Sequence, residues 1–182
     1  MSHCLAASFG WGQSKQEQDV WINFGNWRIE IVQENKSLRL VGVVTEGRGA
    51  YIAVQCYSER DWYSVEVPIF DPAEIAAADR RGSVRITAWN DRDKPDSITM
   101  VRFNKMGAIG LADKSKLAEA DILAVSAFAF LDKIQRAGAF FAFEAGGPTR
   151  TYDVRHYKAA RGKFDESCSA IGKSWVSFLK NR

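Results

Sequence analysis

Residues 51–69, with the sequence YIAVQCYSERDWYSVEVPI, decide the fold of this 182-residue chain. Hydrophobic and polar side chains alternate there through two runs, 51–57 and 62–69, which is typical of strands with one buried face and one solvated face. A short polar stretch separates the two runs, so they predict adjacent antiparallel strands. In the first run, the side chains that we expect to face the core are Ile52, Val54 and Cys56. In the second run, Tyr63, Val65, Val67 and Ile69 alternate with Ser64 and Glu66.

The same alternation occurs on both sides of this segment. Residues 27–31 and 38–44 precede it, and the polar residues 34–37 between them favour a turn. Together with 51–57 and 62–69, these runs predict an antiparallel meander. Further segments with strand character are 83–89, 98–103, the run that follows to 111, 139–144 and 151–156.

Three segments have helical character. Asp71 is a suitable N-cap and Pro72 suits a first helical turn, which predicts a short helix ending near Gly82. Residues 117–137 are rich in Ala and Leu and end before Gly138, which favours a helix, although their first half also fits a strand. A C-terminal helix over 157–172 places four side chains at helical spacing: Ala160, Phe164, Cys168 and Ile171.

The order of these elements predicts a mainly β fold. We expect an antiparallel β-sandwich-like domain of about eight to ten strands, with a C-terminal helix and one or two additional short helices. No linker rich in Pro, Gly or Ser divides the chain, so residues 19–182 are expected to form a single β-rich domain. Residues 1–18 are predicted to be a flexible N-terminal arm. Their small residues at 5–8 fit either the remnant of a signal peptide or a plain disordered arm.

Composition excludes several classes of protein. The formal net charge is +3, from 25 basic and 22 acidic residues, and the two signs are interspersed. A nucleic-acid-binding protein usually concentrates its basic residues on one face, so we expect no nucleic-acid partner. No apolar run reaches the roughly 18 residues that suggest a transmembrane helix, so no transmembrane segment is predicted.

The three cysteines are Cys4, Cys56 and Cys168. In an exported protein the last two would form one disulfide that closes a long loop, whereas in a cytosolic protein they would be two buried thiols. Alternation places Cys56 on the buried face of its strand, and helical spacing places Cys168 on the inward face of the last helix. Composition alone leaves both alternatives open.

Residue patterns for catalysis or metal binding are weak. His156 with Cys56 or Cys168 has no motif that would make a nucleophile and base. The acidic turn at 91–96 lacks the glycine of a calcium-binding loop. Glu30 and Glu66 could pair as the carboxylates of a glycosidase, but alternation places both on solvated faces. We therefore predict no catalytic residue, no metal site and no cofactor.

Aromatic residues are the remaining candidates for a functional site. The chain contains six tryptophans, many for its size, which a β-rich core partly explains. A flat exposed patch of aromatic side chains would mark a partner surface, whereas an enclosed cavity would mark a carrier of a small apolar ligand. The side chains predicted for a binding surface are Trp27, Trp62, Tyr63 and Trp89.

The order of features resembles that of a group of small exported bacterial proteins. The segments that carry the resemblance are GNWRI (25–29), IAVQC (52–56), VRI (84–86), FLDKI (130–134), YDV (152–154) and FDESC (164–168). They are similar to β-sandwich proteins of the invasion-associated locus B type, and to periplasmic accessory proteins of type VI secretion loci. Both kinds carry a signal peptide and pair a sheet cysteine with a late helix cysteine. The resemblance therefore implies a structural disulfide between Cys56 and Cys168, and it implies no catalytic residues.

These observations predict a non-enzymatic, exported binding module of a bacterium, periplasmic or secreted and associated with virulence or secretion. Its partner is expected to be a protein of the cell envelope; the sequence leaves its oligomeric state open. A hydrolase whose carboxylates or histidine lie on loops and a carrier of a small apolar ligand are the alternative functions, and the cytoplasm is the alternative location.

Overall fold

The computed structural model describes residues 19–45, 51–58, 60–69, 71–104, 107–113 and 122–181. The arm predicted for residues 1–18 lies outside them. The strands are β1 (Asp19–Phe24), β2 (Trp27–Val32), β3 (Ser37–Val43), β4 (Tyr51–Tyr57), β5 (Arg60–Pro68), β6 (Ser83–Asn90), β7 (Asp96–Asn104), β8 (Gly107–Asp113), β9 (Phe140–Glu144) and β10 (Arg150–Asp153). The helices are α1 (Pro72–Arg81), α2 (Ile122–Arg136), α3 (Tyr157–Lys173) and α4 (Trp175–Lys180).

The ten strands form one antiparallel sheet in the order β1-β2-β3-β4-β5-β8-β7-β6-β9-β10. The predicted meander corresponds to β2–β5, which pair in chain order. After α1 the chain enters the sheet three strands away at β6, returns through β7 to β8, and pairs β8 with β5. The mainly β class, the antiparallel pairing and the C-terminal helix are confirmed.

The two edges of the sheet approach each other. The indole Nε1 of Trp27 on β2 donates a 2.7 Å hydrogen bond to the carbonyl of Asp153 on β10. The backbone N of Thr45, just after β3, donates to the carbonyl of Thr151 at 3.1 Å. In a flat sheet, eight strand spacings would separate β2 from β10 by about 40 Å. The sheet is therefore strongly curled, and the curl brings its two ends together.

Helix α3 follows β10 and packs across β1 to β4. Its first residue, Tyr157, contacts the Trp27 ring with 4.7 Å between ring centroids. That indole lies over Gly42, its cross-strand neighbour on β3, where an added Cβ would come within 2.5 Å of the ring. Glycine at position 42 therefore provides the space in which the tryptophan packs against both the sheet and the helix.

Further along, α3 is joined covalently to the sheet. The sulfur atoms of Cys56 on β4 and Cys168 on α3 are 2.00 Å apart, at disulfide-bond distance. Beside them, the ring of Tyr63 on β5 lies 6.2 Å from that of Phe164 on α3. The guanidinium of Arg161 stacks on the Tyr63 ring at 5.3 Å, which adds a cation–π contact to the apolar packing.

The predicted bounds of α1 are confirmed, whereas two other elements were missed. Helix α1 begins and ends as expected, because the Asp71 side chain accepts from the backbone N of Ala73 and Glu74 and Gly82 adopts a left-handed C-cap. Two elements were not predicted, β1 and α4, and Ser174 caps the latter by accepting from the backbone N of Ser177. Within the described residues, no helix has both the length and the hydropathy that crossing a membrane requires.

Thiol counting tests the pairing of Cys56 with Cys168. Of the three cysteines, only Cys4 should react in protein that is unfolded without reductant, and all three should react after reduction. Reduction should also lower the free energy of unfolding by roughly 3–5 kcal/mol, because the cross-link limits the unfolded chain. Thiol titration and chemical denaturation measure the two effects. Three reactive thiols before reduction would contradict the pairing.

Candidate functional site

The structure places two of the predicted surface aromatics in the core. Trp27 is 1% exposed and Tyr63 is 9% exposed, and both pack against α3. Their strands also carry solvated residues, but alternation turns these two rings toward the core and α3 covers them. The prediction of a binding surface therefore needs correction at these two positions, where the rings hold α3 in place.

The other two predicted aromatics do not complete such a surface. Trp89 on β6 is partly buried and lies on the opposite face of the sheet from Trp27 and Tyr63. The side chain of Trp62 lies outside the described residues. The sides of the Trp27 and Tyr63 rings that face α3 are covered by Tyr157 and Phe164 of that helix. These two rings therefore do not line a shared apolar cavity of the kind that a carrier would use.

The carboxylates of the acidic turn between β6 and β7 contact backbone amides and basic side chains of the same chain. The Asp91 carboxylate accepts from the backbone N of Gly138 at 2.8 Å and of Ala139 at 3.1 Å. Each of the other two carboxylates contacts a basic residue of α2: Asp93 contacts Arg136 at 3.3 Å, and Asp96 contacts Lys133 at 3.8 Å. The turn thus attaches β6 and β7 to the end of α2. Across the described part of the chain, no group of three His, Cys, Asp or Glu residues is placed to hold a metal ion.

Hydrogen bonds to this turn lower the pKa of one of its carboxyl groups, that of Asp91. The amide of Gly138, followed by that of Ala139, holds the pKa of Asp91 below its ordinary value of 3.8, because both bonds favour the charged carboxylate. Arg155 lowers the pKa of Asp153 in the same way through a direct side-chain bond. Both shifted groups serve local structure at the surface.

The remaining sequence candidates are dispersed. His156 is exposed at the start of α3. The two cysteines considered as its nucleophile partner, Cys56 and Cys168, are bonded to each other. Glu30 and Glu66 lie on the same sheet face, but the expectation that both are solvated is wrong for Glu30, which is 1% exposed. Its carboxylate lies 2.6 Å from the guanidinium of Arg28.

An open groove lies between α3, α4 and β1, and we call it the terminal-helix groove. Its volume is about 780 Å³. Its floor contains Trp21 of β1 and Phe178 of α4, whose ring centroids are 5.1 Å apart in an edge-to-face arrangement. The groove is further lined by Lys163, Glu166, Ser167, Ser169, Ala170, Lys173, Ser174, Ser177 and Asn181.

The rim of this groove is polar and carries one uncompensated positive charge. Lys163 is paired with Glu166 at 2.9 Å, and its ammonium group lies 5.8 Å from the Trp21 ring centroid. Lys173, at the end of α3, has no hydrogen-bond or ion-pair partner in the described portion of the chain. The groove therefore combines an aromatic floor with hydroxyl groups and a free ammonium group.

The terminal-helix groove was not predicted, because two of its walls, β1 and α4, were not predicted. β1 and α4 are both short, and the isolated six-residue α4 is below the length at which periodicity is informative. The available signal was Ser174, an N-cap residue directly before the apolar pair at 175–176. Comparisons of the chain with protein-family models, curated proteins and solved structures found no match. The resemblance to exported bacterial β-sandwich proteins stays a prediction.

The Asp91 contacts predict a specific pH dependence. A lowered folded-state pKa stabilises the fold above the ordinary value of 3.8, and this contribution is lost as pH falls through the folded pKa. Asp91→Asn should therefore lower the Tm near pH 7, with a smaller difference from wild type near pH 3. Thermal unfolding across this range measures the effect. Asp132→Asn, in an exposed pair with Arg136, is the control and should give a smaller difference at neutral pH. A difference for Asp91→Asn that is constant with pH would contradict the assignment.

Proposed function

We propose that this protein is a non-enzymatic binding module of an oxidising compartment, periplasmic or secreted, and that it binds a protein partner through the terminal-helix groove. The observation that carries the proposal is the groove itself, which is open to solvent and has an aromatic floor. One of its walls is α3, which the Cys56–Cys168 pair joins to the sheet. A binding wall held in this way loses little freedom on association, which favours affinity.

The lining of the groove supports a particular kind of partner. Its volume of about 780 Å³ lies within the range of ligand-binding clefts. An apolar or aromatic anchor would fit against Trp21 and Phe178, and an acidic residue beside it would pair with Lys173. We infer that the partner presents an extended acidic segment with one aromatic residue.

Among the residues that the structure describes, the shifted ionisations belong to groups outside the terminal-helix groove, which favours a binding role for it. Asp91 caps a backbone segment, Asp153 pairs with Arg155, and burial raises the pKa of Tyr152 and Tyr157 in the core. None of these groups belongs to the lining of the terminal-helix groove. Perturbed groups at an active site would be expected to converge on one cleft, as acid–base catalysis needs.

The Cys56–Cys168 pair supports the proposal that the protein resides in an oxidising compartment. Disulfides between structural cysteines persist in oxidising compartments and are rare in the cytosol. The resemblance to exported bacterial proteins, which pair cysteines at corresponding elements, agrees with this location. The envelope or extracellular space is therefore where we place the protein.

Expression in two compartments tests the location. With an added signal peptide, the chain should give more folded protein in a bacterial periplasm than without one in the cytosol, because only the former oxidises Cys56 and Cys168. The Cys56→Ala/Cys168→Ala variant is the control and should lose most of that difference. Folded yield is measured by gel filtration and circular dichroism. Equal yields of the wild type in both compartments would argue against an oxidising location.

Peptide binding tests the groove. The probes are fluorescein-labelled hexapeptides with one phenylalanine flanked by aspartate and glutamate, and a matched set flanked by lysine. Fluorescence anisotropy should show tighter binding of the acidic set. Lys173→Glu should weaken it about fivefold or more, since reversing one rim charge costs roughly 1 kcal/mol. Lys158→Glu, an exposed position of α3 outside the groove lining, is the control and should change the Kd less than twofold.

Two results would contradict this use of the groove. One is equal binding of the acidic and basic peptides. The other is an equal loss in Lys173→Glu and Lys158→Glu, which would show that only the net charge of the protein matters.

A further inference from the structure

The net positive charge of the chain comes from its C-terminal segment. Residues 167–182 contain the basic residues Lys173, Lys180 and Arg182 and no aspartate or glutamate. Residues 1–166 carry 22 basic side chains (25 less these three) and 22 acidic ones, so the formal net charge of +3 arises entirely in residues 167–182. Neither Lys173 nor Lys180 has an ion-pair partner among the described residues. The end of α3 and α4 therefore present unpaired positive charge.

Helix α4 is apolar on two sides. Four of its six residues are apolar: Trp175, Val176, Phe178 and Leu179. Phe178 points inward and is 8% exposed, with its ring centroid 5.1 Å from that of Trp21. Val176 is 62% exposed, the highest value for a large apolar side chain in the described part of the chain. A surface helix normally has one apolar stripe that faces the core, so the exposed apolar side needs an explanation.

The helical repeat separates this exposed side from the terminal-helix groove. At about 100° per residue, the positions of α4 and its caps fall on two opposite sides of the helix. The side that lines the groove consists of Ser174, Ser177, Phe178 and Asn181. The opposite side consists of Trp175, Val176, Leu179 and Lys180, and none of these four lines the groove. We call these four residues the outer face of α4.

The outer face combines an exposed apolar side chain with positive charge. Val176 and Lys180 are one helical turn apart, so their side chains are neighbours, and both are exposed. Trp175 and Leu179 are half-buried and pack against the core, which leaves part of each side chain accessible. Lys173 is also exposed and lies one residue before the N-cap of α4. Apolar and positively charged groups are therefore accessible together at this end of the molecule.

A lipid surface matches this combination better than a protein partner does. A stable protein interface buries about 800 Å² on each partner and uses roughly 20–30 residues a side. The outer face offers only four side chains from a helix of six residues. An anionic lipid surface needs no matching shape, because it attracts every cation that faces it and takes up apolar side chains at the head-group boundary. Tryptophan is also favoured at that boundary.

We propose that the outer face of α4 attaches the protein peripherally to an anionic lipid surface. Val176 enters the boundary between head groups and acyl chains, the Trp175 indole lies at the level of the head groups, and Lys173 and Lys180 pair with lipid phosphates. With one fully exposed apolar side chain, the attachment is weak, reversible and dependent on the charge of the lipid. The groove lies on the other side of α4, so the attachment does not depend on peptide binding there.

Co-sedimentation of the full chain with vesicles tests the proposal. Vesicles of phosphatidylcholine alone are compared with vesicles of phosphatidylcholine and phosphatidylglycerol at about three to one, each at about 1 mM lipid. In about 50 mM salt, the bound fraction should be at least about threefold larger on the anionic vesicles. In about 500 mM salt it should fall to the level of the neutral vesicles, because salt screens the attraction between lysines and phosphates.

A charge reversal connects the attachment to α4. Lys180→Glu should weaken binding to the anionic vesicles about tenfold, because it replaces attraction by repulsion at the lipid surface. Lys158→Glu makes the same change in net charge at an exposed position near the start of α3 and is the matched control. It lies roughly 22 Å along the helix from Lys173, more than two Debye lengths at physiological salt. Binding of this control should therefore change less than about twofold.

Substitutions at Val176 test the apolar contact in both directions. Val176→Ser should weaken binding about threefold or more, and Val176→Leu should strengthen it, because the buried apolar area falls in one variant and rises in the other. Leucine is also the better helix former, so a loss of folding would not account for the expected change. Phe128→Ser, at an exposed apolar position of α2, is the control and should change binding less than about twofold.

Several outcomes would overturn the proposal. They are equal binding to neutral and anionic vesicles, an equal loss in Lys158→Glu and Lys180→Glu, and weaker or unchanged binding in Val176→Leu. A concentration-dependent dimer that Val176→Ser abolishes, measured by analytical ultracentrifugation without lipid, would show instead that a second copy of the chain covers this face. Val176→Ser should leave the Kd of the acidic peptides at the groove unchanged within about twofold, so failure of either site is distinguishable from failure of the other.

Discussion

The packing of α3 on the sheet is the constraint on which the rest of the structure depends. Three contacts hold the helix: the Trp27 ring against Tyr157, the Tyr63 ring against Phe164, and the bond between Cys56 and Cys168. Each apolar ring buried in this way contributes about 1.5–3 kcal/mol, and the cross-link removes freedom from the unfolded chain. Because these contacts come from β2, β4 and β5, one helix holds the first half of the curled sheet in register.

The packing of α3 on one face of the sheet leaves two separate surfaces, the outer side of the helix and the opposite face of the sheet. The inward side of α3 is committed to the core, so its other side, with α4 and β1, forms the terminal-helix groove. The opposite face of β2–β5 is free of that helix and carries four polar side chains that stand in register, those of Glu30, Arg39, Gln55 and Ser64. A strand such as β4 therefore contributes Cys56 to the attachment of the helix and its neighbour Gln55 to the opposite face. Alternation of side chains is what allows a single sheet to support both features.

The sequence was most informative where period-two alternation is strong. For β2–β5, the residues predicted to face inward, such as Val54 and Val65, are 0% exposed in the structure. The curl of the sheet was not predictable, because the contacts that mark it, such as the hydrogen bond from Trp27 to Asp153, join residues far apart in the chain and no local pattern encodes them. Burial of Glu30 was missed for a related reason, since alternation reports which face a residue occupies and not what surrounds that face. The groove was missed because β1 and α4 are too short for periodicity to detect.

The hydrogen bond from Trp27 to Asp153 also bears on when the protein can fold. This bond joins residues that are 126 positions apart in the chain. Strand β6 likewise pairs on one side with β9, which lies more than 50 positions further along the chain. Contacts of such long range are made late and slowly, because a long loop must close before they add stability. The first five strands leave the ribosome well before the residues that complete their packing exist. The fold can therefore be completed only after the residues of β9, β10 and α3 have been synthesised.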